Sequence, residues 1–383
     1  MSDPLVSVVL PVFNGGVDLQ KCLQSLADST WQNIECVVVD DASDDGMTAP
    51  AADSIGARVI RLDQQKGPAA ARNRGVEQVT GDIIFFVDAD VLVHEDTIER
   101  GVQVLQAHPE ITAVIGSYDA SPGDRSFISQ YRNLYHHWIH QTAHTAASTF
   151  WTGCGLIRRK AFVETGGFNE DFDRPSIEDI EYGNRLIATG HVIRLEKEMQ
   201  CQHLKQWTLW NVVKTDVFQR GIPWMKLLLA NRDIPNDLNL SYKSRVATVM
   251  AGLLVLAFIL IPLAGHATAL LATGVLLATS AVCSIIAGTS GKGSLVPLLL
   301  VGLPVTSALV YDPQWLSLLP LATILTIVWT QRGFYQLVAR RRNLAFAFAV
   351  IPMQVIFFIG CATSAALGII SHFFDRVRGP DAR

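Results

Sequence analysis

Carboxylates at Asp40-Asp41, Asp88-Ala89-Asp90 and Glu178-Asp179 have the types and spacing for chemistry. The first two groups directly follow short apolar runs, Cys36–Val39 and Ile83–Val87, so they fall at strand ends. Asp88 and Asp90 offer two hard oxygen donors while the neutral Ala89 between them points away. Hard divalent cations take such oxygens and keep coordination positions open for phosphate oxygens. Asn14 closes a third apolar run, Leu5–Val12. Glu178-Asp179 open a helical stretch after Arg174-Pro175-Ser176. Acids at a helix start answer its dipole, and a carboxylate held there can also act as a base if a nucleophile comes within about 3 Å. Asp44 and Asp45 read as caps for the next helix.

The elements that must position these groups follow from periodicity. Strands are expected at Leu5–Val12, Cys36–Val39, Arg58–Leu62, Ile83–Val87, Ala113–Ser117, Thr152–Arg158 and Val192–Leu195. Helical spacing covers Asp18–Ser29, Pro68–Val79, Thr97–Ala107, Ser126–Thr149 and Glu178–Thr189. Short strands alternating with helices imply right-handed βαβ units and a mostly parallel sheet. Ligands of such sheets sit beyond the carboxyl ends of the strands, which is where the acids lie.

Charge divides the chain. Of 383 residues 49% are hydrophobic and 17% charged, with a mean hydropathy of +0.27. Residues 1–244 carry a net charge of −10 and residues 245–383 a net of +6. Between Val246 and Gln331 only Lys292 and Asp312 are charged. A purely soluble enzyme and a disordered chain are excluded by this pattern, and the acidic front does not suit nucleic acid. Apolar segments near the 20 residues that a span needs are Val246–Ala264, Ala267–Ala287, Leu295–Tyr311, Trp315–Thr330 and Phe346–Ile370, giving four or five spans. Leu204–Arg232 mixes aromatics with Lys205, Lys214, Arg220, Lys226 and Arg232, a composition suited to helices in the membrane interface. The expected organisation is a catalytic domain at 1–203, interfacial helices at 204–244 and a multi-pass membrane domain at 245–383. Met1–Pro4 and the strand-length run after it do not read as a secretory signal. With Arg340–Arg342 marking a cytoplasmic loop, the catalytic domain is expected in the cytoplasm, on a plasma or inner membrane. Six scattered cysteines without CxxC pairing fit a reducing compartment.

The ordered set Val6–Asn14, Val38–Asp45, Gly67–Gly75, Asp88-Ala89-Asp90, Thr152–Gly155, Gly166–Glu170 and Glu178-Asp179 resembles family 2 glycosyltransferases with the GT-A fold, over roughly residues 5–230. The resemblance implies a nucleotide-diphosphate sugar donor and a divalent cofactor, Mn²⁺ or Mg²⁺, that neutralises the leaving diphosphate. It implies Asp88, Asp90 and His203 as metal ligands, with Asp88 alternatively on the ribose. Pro11, Phe13, Asn14, Asp40, Asp41 and Arg72 would bind the nucleotide. Asp179 would be the catalytic base of an inverting transfer, and Gly153, Glu178, Arg220 and Trp224 are candidates for the acceptor site. Processive members carry a QxxRW motif. Here Gln219-Arg220-Gly221-Ile222-Pro223-Trp224 sets the tryptophan five residues after the glutamine instead of four. That favours transfer of a single sugar to a lipid-type acceptor: a polyprenyl phosphate, a lipid-linked saccharide or a glycolipid. The rival readings are a processive polysaccharide synthase and an inactive scaffold or transporter. Oligomeric state is not legible.

Overall fold

A computed structural model describes residues 3–232, 234–260 and 319–378. The chain divides into two compact units, Met1–Val212 and Val213–Arg383.

In the first unit, β1 (Val6–Val12) and β2 (Ile34–Asp40) enclose α1 (Gly16–Ala27). There follow α2 (Thr48–Asp53), β3 (Arg58–Arg61), α3 (Pro68–Val76), β4 (Ile83–Val87), β5 (Val91–Val93) and α4 (Thr97–Ala107). The unit is completed by β6 (Ala113–Tyr118), α5 (Phe127–Thr142), β7 (Cys154–Arg158), α6 (Arg159–Glu164), α7 (Glu178–Ala188) and β8 (Ile193–His203). The strands form one sheet in the order β3-β2-β1-β4-β7-β6-β8-β5. Helices cover both faces, so β1 buries Val8 and Leu10 in one core and Val9 in the other. That double burial is why its sequence is continuously apolar rather than alternating.

The mostly parallel expectation holds: β1, β2, β3, β4, β6 and β8 share one direction, β6 pairing parallel to β8, and only β7 and β5 are reversed. β1 runs parallel to β2 and β4, and β2 to β3. β7 is antiparallel to both β4 and β6, and β5 to β8, so the whole sheet is mixed. The long α5 excursion lets the chain re-enter reversed between β4 and β6. Two expectations are corrected. Helix α5 stops at Thr142 instead of Thr149, and the final strand runs on from Leu195 to His203. Glu196, Lys197 and Glu198 hide that extension, because partly exposed charges replace an apolar pattern.

A short α8 (Leu209–Val213) leads into the second unit, which holds a π-helical turn (Lys214–Gly221), α9 (Ile222–Asn231), α10 (Tyr242–Leu260), α11 (Leu319–Thr330), α12 (Arg332–Arg341) and α13 (Leu344–Arg378). α9 and the π turn lie along α13. Gly360 faces Val217, the Ser364 hydroxyl donates to the Val217 carbonyl at 3.4 Å, and Lys226 pairs with Asp375 at 2.6 Å. Among the described residues one helix, Leu344–Val377, is long and apolar enough to cross a bilayer; it contains the expected span Phe346–Ile370. The expected spans Ala267–Ala287 and Leu295–Tyr311 lie outside the described residues, as do parts of Val246–Ala264 and Trp315–Thr330.

Candidate active site

Register places the acids together. Val12 pairs with Asp40 across β1 and β2, and β4 lies on the other side of β1 and ends just before Asp88. Asn14 and Ala42 adopt left-handed backbone, with φ of 53° and 64°, where the chain turns out of β1 and β2. Such conformations persist where surrounding contacts fix them. The Asn14 side-chain Oδ1 accepts from the Asp44 and Asp45 backbone amides, and the Asn14 backbone amide donates to the Ser43 hydroxyl. The Asp45 carboxylate in turn accepts from the Gly16 amide at 3.0 Å.

Asp40 and Asp41 are buried braces as well as strand-end acids. Asp40 pairs with Arg61 at 2.5 Å and accepts from the Ser43 amide. Asp41 accepts from the Lys66 and Gly67 amides at 2.7 and 2.9 Å, one on each oxygen. Each oxygen keeps a second lone pair, so a nucleotide base N–H can still be accepted. Gly67 (φ 87°) starts α3 where a Cβ would lie 2.5 Å from the Asp173 carbonyl, so only glycine fits. Pro11 lies beside this corner on β1, and Phe13 is 47% exposed, an open apolar wall next to it.

Arg72, expected to contact the nucleotide, is enclosed between two carboxylates. Its side chain, on α3, is 4% exposed and joins Asp88 at 2.8 Å to Glu178 at 3.1 Å. Burial alone would lower its pKa, but the carboxylates of Asp88, Glu178 and Asp179 raise it. Glu178, expected at the acceptor, is likewise enclosed: it accepts from Arg72 and from the Ser176 amide. The network therefore fixes the start of α7 against the end of β4. Asp179, next in line and half-buried, accepts from the Ile180 amide at 2.8 Å.

The third ligand expected of a metal site comes from β8. Val91 pairs with His203, and Asp90 Oδ2 lies 3.5 Å from His203 Nε2. Burial would raise the Asp90 carboxyl, but the His203 imidazole and, further off, the Lys205 ammonium hold it below the usual range. His203 lies inside the strand rather than after it, and its ring stacks on Tyr118 at 4.5 Å and 9°. Asp88 is turned to Arg72, so the expected trio is not drawn tight. Among the described residues no three His, Cys, Asp or Glu side chains form a metal-holding group. Asp90 and His203 nevertheless fit a divalent ion as a two-donor set, the remaining positions being open to phosphate oxygens and water.

Sequence reasoning missed the aromatic wall next to His203. Trp151 meets Tyr118 edge-on at 4.7 Å, and His136 lies 4.6 Å from the same ring. Gly153 is explained by this wall, since a Cβ there would sit 2.7 Å from the Trp151 ring. Asn133, His137 and His140 on α5 bond in turn to the carbonyls of Asp119, Tyr118 and Gly116. The only signal in the sequence is the density of His and aromatics in Ser126–Thr149. Arg220 and Trp224 lie in the π turn and α9, both in the second unit.

Comparison with known proteins bears on this arrangement. Glycosyltransferase AglE of Haloferax volcanii is 38% identical over 110 residues, covering 27% of this chain and 36% of its own length. Glycosyltransferase GlyA of Streptococcus pneumoniae serotype 4 is 36% identical over 262 residues, 62% of this chain and 36% of its own. The chain spans about a third to a half of the length of the curated relatives it matches. A solved mannosyltransferase, PcManGT from Pyrobaculum calidifontis in complex with GDP-Man and Mn²⁺, is 16% identical with a TM-score of 0.48, over 98% of this chain and 89% of that one. Residues 7–166, which supply β1 through β7 and the acids at their ends, match the family described as glycosyl transferase family 2.

Proposed function

We propose that the chain is a membrane-attached, inverting glycosyltransferase that moves one sugar from a nucleotide-diphosphate sugar to a lipid-type acceptor. The observation that carries this reading is the Arg72 bridge, which holds strand-end Asp88 and the helix start bearing Asp179 in one network. The family 2 domain supports sugar transfer as the reaction. The strongly apolar Leu344–Val377 and the almost uncharged stretch from Val246 to Gln331 support membrane attachment, with the transferase domain on the cytoplasmic face.

In this reading Phe13, Pro11 and Asn14 wall the nucleotide base, and Asp41 accepts a hydrogen bond from it beside Asp40. Asp88 faces the ribose or the cofactor. Asp90 and His203 would hold a divalent cation, Mn²⁺ or Mg²⁺, which when bound neutralises charge on the departing diphosphate. Asp179 takes the proton of the acceptor hydroxyl. The freed oxygen attacks the anomeric carbon opposite the diphosphate, whose C–O bond breaks, so the configuration inverts. Gly153 shapes the acceptor side by admitting Trp151, and Arg220 and Trp224 remain acceptor candidates from the second unit. Arg72 and Glu178 position Asp179 and Asp88 and do not touch substrate.

The test is a panel of nucleotide sugars with Mn²⁺ or Mg²⁺, measuring nucleoside diphosphate release with and without membrane lipid extract. Lipid-stimulated release from one donor is the expected result. No release from any donor would leave the inactive-scaffold reading, and a ladder of long saccharides would favour a processive synthase.

A further inference from the structure

One face of α13 is left open along its whole length. At about 100° per residue, the exposed side chains of Leu344, Phe348, Ile356, Leu367, Phe374 and Val377 fall within an arc of roughly 140°. Val350, Met353, Phe358 and Ser364 lie on the opposite side and are buried. The open face is roughly 50 Å long at about 1.5 Å per residue, against about 30 Å of hydrocarbon in a bilayer. Upright, the helix would leave about 20 Å of apolar surface in water. Fitting it by tilt alone takes more than about 50°, beyond the roughly 40° that spans reach.

Packing limits the depth at which this helix can sit. The π turn and α9 run beside it in the same direction: Gly360 meets Val217, Ser364 meets Gly221, Gly368 meets Met225, and Lys226 pairs with Asp375. Gly360 is the middle of Leu344–Val377. Val217 is therefore level with the centre of the helix, and it lies five residues beyond Val212, where the first unit ends. Five helical residues rise about 8 Å, half of the roughly 15 Å from bilayer centre to hydrocarbon edge. A centred crossing would sink the end of the first unit into hydrocarbon along with Lys214, Asp216 and Arg220, where charges are costly. Sliding the helix does not relieve this. With Gly360 at one surface, Leu344–Ile359 offers about 24 Å of rise and Cys361–Val377 about 26 Å. Both fall short of a span, and the second ends in Asp375 and Arg376.

We propose that α13 does not cross the membrane but lies in its plane, with the Leu344–Val377 face sunk among lipid headgroups and the first acyl carbons. Basic residues flank both ends, Arg340–Arg342 and Arg376 with Arg378, which suits one anionic surface touched along its length. The inference rests on the membrane-attached reading above and deepens it by naming the mode of attachment. It also sets Arg220 and Trp224, in the segment packed along α13, at headgroup depth, where the reactive end of a lipid acceptor lies.

The test measures depth in full-length protein reconstituted into vesicles of phosphatidylcholine with a minor share of phosphatidylglycerol. p-Acetylphenylalanine replaces Phe348, Ile356 or Phe374, one at a time, and carries a hydroxylamine-coupled nitroxide, so the native cysteines stay unlabelled. All three positions are exposed, and folding does not depend on them. Power-saturation EPR with oxygen and a nickel chelate reports how deep each label sits. The expected result is three labels about 5–10 Å into the headgroup and acyl boundary, differing by less than about 10 Å. A larger spread overturns the proposal, above all one with Ile356 deepest and Phe348 and Phe374 near opposite surfaces. Labels that report bulk water on vesicle-bound protein overturn it too. Protein that floats with the vesicles yet shows either result loses only the in-plane placement, whereas protein that does not float loses membrane attachment as well.

Discussion

Acidification from pH 7 to pH 5 should weaken the first unit, and His140 should account for about 2 kcal/mol of the loss. Its side chain is 5% exposed, between His136 at 4.2 Å and Trp151 at 5.1 Å, with Nδ1 bonded to the Gly116 carbonyl at 3.0 Å. Burial, with the nearby His137, lowers its pKa from 6.5 to about 4, against the pull of that carbonyl. The unfolded chain therefore binds a proton that the folded chain refuses throughout the window between those values. Stability from this group is complete above pH 6.5 and is lost as pH falls towards 4. At 1.36 kcal/mol per unit the whole window is worth roughly 3 kcal/mol, of which about 2 is lost by pH 5. His140→Asn keeps a donor near the Nδ1 position and cannot titrate. Urea unfolding at pH 7 and pH 5, followed by tryptophan fluorescence, gives the difference between wild type and variant. His136 and His137 are present in both and cancel to first order. If the variant loses as much stability as wild type on acidification, the buried imidazole is not the source and the reasoning fails.

Other outcomes follow from the acid network. Asp90→Ala should abolish nearly all transfer with an unchanged circular dichroism spectrum, and wild-type activity that survives EDTA would count against a divalent ion at Asp90 and His203. Arg72→Met strands the enclosed Glu178 carboxylate and should cost about 3–5 kcal/mol in urea unfolding, with Arg72→Lys recovering part of it. Asp179→Asn should lower kcat about 10²-fold or more on a hydroxyl acceptor. On a phosphate acceptor, already mostly dianionic at neutral pH, the same variant should cost markedly less, and equal activity on every acceptor would reduce Asp179 to a helix-start acid.

What the sequence discloses here depends on how many faces of an element are buried. β1, β2 and β4 are apolar on both faces and end in acids, so their positions and the edge of the sheet they define are readable from composition alone. β8 is readable only to Leu195, because its later half is partly exposed and charged, and β5 has three residues, too few for a pattern. β7 is readable as a strand, but its reversed direction is not, since direction is set by where the chain re-enters the sheet. Among site residues, those at strand ends were legible. Arg72 is expected in the sequence only as a nucleotide contact, and only the packing of α3 and α7 shows its two carboxylates. Tyr118, Trp151 and Trp207 carry no local signal, being ordinary core aromatics until β8 brings His203 among them.

The pairing of β5 with β8 also says something about how the site comes into being. Asp90 and His203 lie far apart in the chain, and their approach depends on a three-residue strand docking on the last strand of the sheet. Contacts of such long sequence separation bear the full entropy of loop closure before they return any stabilisation. The parallel half, β3-β2-β1-β4, can assemble from neighbouring βαβ units well before that. During folding the corner at Asp40 and Asp41 is thus a product of local assembly, whereas the Asp90–His203 pair exists only in chains that have completed the sheet, so a partly folded chain would hold one group of strand-end acids without the other.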